Sequence, residues 1–579
     1  MGKNRYIDLF MLTILLFGAL ARVLQVKAAL PPIQNPENQS TPTGTLGSDS
    51  VPTPLWNRTF GGVQEDYAYS MVQTPDNGFA LAGATYSFGA GGADFWLVKT
   101  DSLGSVQWNK IYGGTANDEA HSITRTSDGG YAILGTTDSF GAGGSDFWLV
   151  KTNSSGKMLW NKTYGGSSTD DAWSIKEVPG GNLVLAGWTA SFGAGSGDFW
   201  LIKTDPNGNM LWNKTYGGPL LEIANFVQQT SDGGYILFGS TYSFGAGSSD
   251  FWLVKTDAAG NEQWNKTYGG TTDDYGFSAV ETLNGYALAG STSSYGAGVY
   301  DFWLIRTDQL GNAMWNKTYG GNAYDEAWSI LQTANHDFIL AGWTESFGAG
   351  SSDCWLVETD ELGNMQWNIT WGGTNYDCAY SALQCSDENL VLTGATQSFG
   401  AGSTDFLLVK IQAVTNIAII DVTTPKTVAG QGFSADINVT IANEGAYTET
   451  FSVTSYANAT KIGTRLIILG SGGSLRTTFT WNTTGFAKGN YTIWAYAWPV
   501  PGETDTSDNT RSTTVYISIP GDINGDKTVN YLDGILLGAA FSSTPKDSNW
   551  NPNADINSDN NINYLDGIIL GAHFSEHWW

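Results

Sequence analysis

The sequence predicts a mainly β protein: a seven-bladed β-propeller, then an immunoglobulin-like β-sandwich, then a small α-helical calcium module. Three observations predict it. A unit of 51 or 52 residues recurs seven times. About 100 residues of alternating strands follow it. Two twelve-residue Asp/Asn loops close the chain, each running into an apolar stretch.

The repeat is anchored by Trp56, Trp108, Trp160, Trp212, Trp264, Trp315 and Trp367, each opening a Trp-Asn-x-x-x-Gly-Gly segment. A second segment, Asp94-Phe95-Trp96-Leu97-Val98-Lys99-Thr100, returns at Asp146, Asp198, Asp250, Asp301, Asp353 and Asp405, where Leu407 replaces Trp. Two further short runs, such as 122–126 and 130–135, complete four strands per unit, and none has a helical period. Four antiparallel strands in about 50 residues is a propeller blade. The first copy begins with the Trp-Asn strand and the last ends without one, so residues 55–60 are expected to complete the seventh blade. That closure leaves no free ring edge.

The 579 residues carry 55 Asp+Glu against 27 Lys+Arg, a net charge of -28. This excludes nucleic acid as a partner, which needs a basic face. Three Cys make neither a disulfide framework nor a four-Cys zinc site. Lys3 and Arg5 precede an apolar run from Leu9 to Ala21, so residues 1–30 read as an export signal, cleaved or retained as an anchor. Residues 31–54 hold six of the sixteen prolines and read as a linker. Twelve Asn-x-Ser/Thr sequons, six of them one copied repeat position, make an exported chain a candidate glycoprotein.

Within the repeats, the Gly-Gly pairs are expected where turns demand positive φ. The Asp before Phe-Trp is expected to cap a turn. An acidic ring, Asp66, Asp118, Asp170, Glu222, Asp274, Asp325 and Asp377, reads first as a fold determinant and second as an axial cation or sugar site. Function is sought where copies differ: Tyr69, His121, Trp173, Asn225, Phe277, Trp328 and Tyr380, three residues after that acid, and Trp188 and Trp343 at a position otherwise small. Two readings stand side by side there, a glycan- or peptide-binding face and inter-blade filler. No nucleophile elbow, zinc-protease motif or phosphate loop occurs, and nothing singles out a catalytic carboxylate pair. Cys354, in place of Phe, reads as a buried substitution.

From 412 to 519 the strands alternate: 436–442, 450–456, 477–481, 491–498 and 513–517. Pro425-Lys426-Thr427-Val428-Ala429-Gly430, Asn443-Glu444-Gly445, Gly489-Asn490-Tyr491 and Asp505-Thr506-Ser507-Asp508-Asn509 resemble the CARDB family of adhesion-related surface domains.

Residues 520–579 carry the sharpest chemistry. Asp522, Asn524, Asp526, Thr528, Asn530 and Asp533 occupy loop positions 1, 3, 5, 7, 9 and 12. Asp555, Asn557, Asp559, Asn561, Asn563 and Asp566 do so again. Hard oxygen ligands at this spacing wrap a Ca²⁺ ion, so two ions are expected. Val529 and Ile562 supply the apolar position 8. Apolar helices follow, in which residues 535–537 and 568–570 are expected to pack on each other. Two loop–helix units without an entering helix resemble a dockerin. That resemblance implies a cohesin-like or other surface protein as partner, with Tyr531-Leu532 and Tyr564-Leu565 at the partner-choosing positions. These are apolar, so an ordinary cohesin specificity does not carry over. Loop position 6, usually Gly, is Lys527 and Asn560.

Together these readings point to an exported, prokaryotic- or archaeal-type surface or secreted protein for adhesion or ligand binding, assembled through a calcium module. The alternative is a carbohydrate-active enzyme, or an accessory of a polysaccharide-degrading complex.

Overall fold

The structure, a computed structural model, describes residues 52–578 except 334–335, 388, 413–414, 446–447, 471, 502 and 504. The predicted export segment and nearly all of the linker lie outside the described residues. The described chain is mainly β, with two short helices near its C-terminus.

Seven four-stranded antiparallel sheets come first. In the first sheet the strands run in order Asp66–Gln73, Phe79–Thr85, Asp94–Thr100 and Val106–Tyr112. Five more sheets repeat that plan. The seventh takes Asp377–Gln384, Leu390–Thr396 and Asp405–Ile411 from the end of the array, and its fourth strand, Pro54–Phe60, from the beginning. Pro54 pairs with Ile411 and Phe60 with Phe406. This is the pairing that the offset register predicts.

Each third strand buries both faces. Its Trp lies against the Phe of the preceding sheet: Phe95 and Trp148 are 4.6 Å apart between ring centroids, Phe199 and Trp252 4.6 Å, Phe302 and Trp355 4.5 Å. Trp96 of the first sheet meets Phe406 of the seventh at 4.5 Å, so first and last sheets make the same contact. Between the sixth and seventh sheets the two positions are Cys354 and Leu407, and both fall in one buried cluster. The two departures from the repeat thus sit in the same core, a smaller pair in place of Phe and Trp. In five of the seven copies the repeated Asn accepts a hydrogen bond from the Trp indole of the adjacent strand, as Asn161 does from Trp148 at 3.2 Å. Copying of the sequon position therefore has a structural cause.

The Gly-Gly expectation needs correction. Gly113, Gly114, Gly165 and Gly166 are not among the positive-φ residues. Their constraint is space: a Cβ on Gly165 would fall 1.7 Å from Asp146 Oδ1, and one on Gly166 2.7 Å from Ser191 Cβ. The same Asp146 accepts from the Ala142 amide at 2.8 Å, the expected turn-capping role. The acidic ring is buried and engaged in the same way. Asp118 Oδ2 accepts from the Gly114 amide and the Ser139 hydroxyl, both at 2.7 Å, while Oδ1 accepts from Thr137. These carboxylates hold turns, as the fold-determinant reading expects.

The sandwich stacks a three-stranded sheet (Ile417–Thr423, Ser434–Asn443, Ser474–Asn482) on a five-stranded one (Val428–Gly430, Thr510–Ser518, Gly489–Ala497, Glu449–Ala457, Thr460–Leu469). Ile437, Val439, Val453, Trp481, Ile493 and Val515 fill its core. The strands Ile417–Thr423, Val428–Gly430 and Thr460–Leu469 are additional to those read from alternation. In the last, the pairing with Ser455 and Tyr456 of the neighbouring strand runs through Gly463 and Lys461 and skips Ile462, which breaks the period.

Two helices end the described chain: α1, Tyr531–Ala540, and α2, Tyr564–Ala572. Leu537 and Leu570 are buried, but Ile535 and Ile568 are 60% and 61% exposed, against expectation. Two residues along a helix turn a side chain by about 200°, so 535 and 537 cannot both face inward.

Removing residues 51–60 leaves Asp405–Ile411 as an unpaired sheet edge. The truncated chain is expected to melt lower than the full chain and to aggregate. Calorimetry and size-exclusion chromatography check this, and a soluble truncation with an unchanged Tm contradicts the closure.

Candidate functional site

The first candidate is the pair of acidic loops before α1 and α2. In the first loop, ligand oxygens of Asp522, Asp526 and Asp533 lie within 4.8 Å of one another. Asp533 is buried; it accepts from the amides of Ile523 at 2.8 Å, Asn524 at 3.2 Å and Asn530 at 3.0 Å. Asp566 does the same for Ile556, Asn557 and Asn563 at 2.8, 3.2 and 2.9 Å. The Asp526 and Asp559 amides donate to Asp522 and Asp555, both at 3.1 Å. The two loops thus share these backbone-to-carboxylate bonds. Burial pushes the carboxyls of Asp522 and Asp555 up from their ordinary values, and the neighbouring Asp533 and Asp566 charges add to it. A divalent cation among these oxygens removes that repulsion, so the residues fit calcium.

Two details differ from expectation. Asn530 and Asn563 cap their helices: each Oδ1 accepts from the amide two residues on, Leu532 or Leu565, at 2.8 Å. Positions 9 and 12 therefore also form the capping box of each helix, with Asp533 and Asp566 accepting from the Asn530 and Asn563 amides. Position 6, where a glycine is usual, holds Lys527 at φ 73° and Asn560 at φ 63°, a conformation that favours glycine.

The loops are also cross-tied. Position 8 of the first, Val529, exchanges backbone bonds with Ser575 and Glu576, which follow α2. Position 8 of the second, Ile562, exchanges them with Ser542 and Ser543, which follow α1. Trp578 then covers the first loop. Its amide donates to the Lys527 carbonyl at 3.1 Å, and the Lys527 ammonium lies 5.1 Å from its ring centroid. Sequence reasoning missed Trp578; a Trp outside the twelve-residue loop spacing carries no loop signal.

The second candidate is the variable ring. In the strand at one edge of each of the seven sheets the pairing slips by one residue, between Ala68/Ser70, Ala120/Ser122, Ala172/Ser174, Ala224/Phe226, Gly276/Ser278, Ala327/Ser329 and Ala379/Ser381. The skipped residues are Tyr69, His121, Trp173, Asn225, Phe277, Trp328 and Tyr380, so every predicted position is a β-bulge, which re-aims a side chain. They touch one another. His121 stacks on Trp173 at 4.3 Å and Phe277 on Trp328 at 4.4 Å, while Tyr69 lies 5.3 Å from His121 and 5.1 Å from Tyr380. Trp328 and Tyr380 are 5.2 Å apart. Asn225 instead donates to the Gly276 carbonyl at 2.7 Å.

Two residues before the bulges, sequence reasoning missed Glu119, Asp171 and Glu326. The signal was available, since that position also varies, through Tyr67, Ile223, Tyr275 and Cys378. Burial opposes charge on His121, but Glu119, Asp171 and the Ala172 carbonyl outweigh it and hold the imidazole above its ordinary value. Glu119 lies 3.9 Å from His121 Nε2 and accepts from Tyr86 at 2.8 Å. Trp343 and Trp188 stand in strand register opposite Glu326 and Asp171. Burial pushes Glu326 up to about 7, Glu345 adding to the shift and the indoles of Trp328 and Trp343 opposing it.

Residues 520–574 match the Dockerin type I domain family and residues 417–513 match CARDB. The chain carries a dockerin type I domain and a CARDB domain. Dockerin domains of this type bind calcium, typically bind cohesin partners and occur in extracellular or cell-surface proteins. No curated protein matches the chain. Among solved structures, a CARDB domain from Pyrococcus furiosus, crystallised in complex with di-metal ions, is 22% identical; the match covers 18% of this chain and 88% of that one, with a TM-score of 0.16. A solution structure of the same domain is 23% identical over 18% and 94%, also at 0.16. A β-glucosidase from Listeria innocua in complex with glucose is 12% identical over 19% and 16%, at 0.14. Among the described residues no helix is long and apolar enough to cross a membrane.

The dockerin domain is docked on the CARDB domain. Asn553 Oδ1 accepts from the Thr427 and Val428 amides at 2.9 and 3.1 Å. The buried Lys426 ammonium donates to the Asp555 carbonyl and, at 2.7 Å, to Ser558. The sandwich thus holds both acidic loops, the second through Lys426 and the first through Ser518, whose hydroxyl donates to Asp522, and Trp578 covers the first.

Two predictions follow from these contacts. A buried carboxyl with a raised pKa favours the fold below its ordinary value of 4.5 and loses that advantage as pH rises through about 7. Glu326→Gln is therefore expected to raise Tm over wild type at pH 8 and to leave it nearly unchanged at pH 5; calorimetry at both values checks it. Removing residues 575–579 is expected to weaken calcium at the first loop by roughly tenfold, about 1.4 kcal/mol, and to affect the second less, as isothermal titration reads.

Proposed function

We propose that this chain is an exported, secreted or cell-surface binding protein that its dockerin domain docks into a larger assembly. The observation that carries this reading is the matched pair of faces beside the two acidic loops. Tyr531 and Tyr564 are both 68% exposed, with Leu532 and Leu565 half-exposed next to them. Each pair opens a helix that its loop orients, so calcium at Asp522, Asn524, Asp526, Thr528 and Asp533, and at Asp555, Asn557, Asp559, Asn561 and Asp566, sets the angle at which the faces are shown. Three carboxylates per loop repel one another without a cation, which couples metal to local folding.

In this reading residues 55–411 form a closed seven-bladed propeller, residues 412–519 a spacer and residues 520–579 the docking module. The Pro54–Phe60 pairing and the Trp96–Phe406 contact support closure. The propeller's ligand surface is the layer where copies differ. Trp188, Trp343, Glu119, Asp171 and Glu326 offer stacking and hydrogen bonding to a glycan or peptide, and the seven bulge residues form its floor. The stacking of His121 on Trp173 and of Phe277 on Trp328 favours a rigid floor over seven separate contacts.

The test uses the full chain and a purified, immobilised cohesin module. Retention is expected in calcium and not in chelator, and Tyr531→Asp with Tyr564→Asp is expected to weaken it by at least roughly tenfold with unchanged circular dichroism. Equal retention in chelator, or in the double variant, overturns the docking reading.

A further inference from the structure

Apart from the dockerin loops, three strand ends of the sandwich bring a second group of oxygens together. Asn416 precedes the strand Ile417–Thr423, Glu444 follows Ser434–Asn443, and Asp505 and Asp508 precede Thr510–Ser518. Backbone bonds fix these ends: the Glu444 and Gly445 amides donate to the Asn416 carbonyl at 2.9 and 3.0 Å, and the Ile419 amide to the Asp508 carbonyl at 2.9 Å. The Asn416 amide nitrogen reaches Glu444 Oε2 at 3.2 Å and Asp508 Oδ2 at 3.3 Å, so two carboxylates converge on one side chain.

The polar accounting of this cluster does not close. Asn416 is 6% exposed and Asn509 fully buried. Asn416 Oδ1 and Asp508 Oδ1 are buried without a hydrogen-bond partner, and the Asn509 carboxamide has the Glu503 carboxylate beside it. Buried polar atoms are nearly always satisfied, and orphans grouped in one place ask for an ion or a water. Glu503, also close by, is committed to the Ile417 and Val500 amides at 3.1 and 2.9 Å. Among the described residues none of Glu444, Glu503, Asp505 and Asp508 forms an ion pair. Burial first, then the Asp505 and Asp508 charges, push Glu444 up.

We propose that the sandwich binds a hard divalent cation, calcium by its ligand chemistry, between Glu444 and Asp508. Asp505 and Asn416 Oδ1 complete the protein ligands, the latter once the carboxamide turns over. As it stands, the amide nitrogen does the cation's work of separating two carboxylates and leaves its oxygen orphaned. Turned over, the oxygen faces the ion. Water fills the remaining positions, since Glu444 is exposed and keeps the site open on one side. All donors are hard oxygens, which suits calcium over softer metals. The site is independent of the dockerin loops and stands whether or not they bind metal.

The experiment is calcium equilibrium dialysis and calorimetry on the full chain, on Asp508→Asn, and on a chain with Asp522, Asp526, Asp555 and Asp559 changed to Ala. One equivalent is expected to survive in the loop-disabled chain and to disappear when Asp508→Asn is added. In chelator, Asp508→Asn is expected to melt at or above wild type, because it relieves carboxylate crowding. In calcium that order is expected to invert. No residual equivalent in the loop-disabled chain overturns the proposal. So does a variant that melts below wild type equally in calcium and chelator, which marks a purely structural Asp508.

Discussion

An indole laid on a phenylalanine of the preceding sheet sets the spacing at six of the seven sheet junctions, and Cys354 with Leu407 takes its place at the other. The contact recurs at 4.5–4.9 Å, from Phe95–Trp148 to Phe302–Trp355, and again where the first sheet meets the seventh. Each such pair adds about 0.5–1.5 kcal/mol beyond its buried area. Geometry matters more than that sum. A recurring ring-to-ring distance keeps neighbouring sheets evenly spaced. Each first strand then lies where its bulge residue meets the next one. The ring from Tyr69 to Tyr380 is thus a consequence of packing some distance away from it.

Much of this was legible because it is copied. Strand order, the offset register and the calcium-loop spacing are local patterns with fixed periods. What stayed hidden depends on partners far apart in sequence. The Gly-Gly pairs read as turn glycines, but their reason is the carboxylate of Asp146 or its equivalents, 19 residues before Gly165 in sequence. Cys354 and Leu407 read as separate substitutions until the sheets placed them in one core. The bulges could not be read because a one-residue slip leaves the alternation on either side intact. Glu119, Asp171 and Glu326 were hidden because their position mixes acids with Tyr67, Ile223, Tyr275 and Cys378, and only the fold sets those carboxylates beside the bulges.

The dockerin domain shows how symmetry in sequence becomes interdependence in structure. Each loop is tied to the segment that follows the other helix, so neither half is a self-sufficient unit. The two halves also have different outer neighbours. Lys426 and Asn553 join the second to the CARDB domain, while Trp578 rests on Lys527 and on Tyr516 of the sandwich, 5.9 Å between ring centroids. Near-identical loops are therefore held by unlike clamps, which the sequence repeat alone does not reveal.

The strand that completes the seventh sheet also decides how the array answers to force. Residues on either side of the Pro54–Ile411 pair leave at the same end of two adjacent antiparallel strands, where the Gln412 amide still donates to the Thr53 carbonyl at 2.9 Å. A pull between residues 53 and 412 loads that ladder one rung at a time, like a zipper rather than a lap joint. The other six sheets lie outside the load path. Under tension the array would open first at this seam, with the remaining sheets still folded, and a slack chain could close it again.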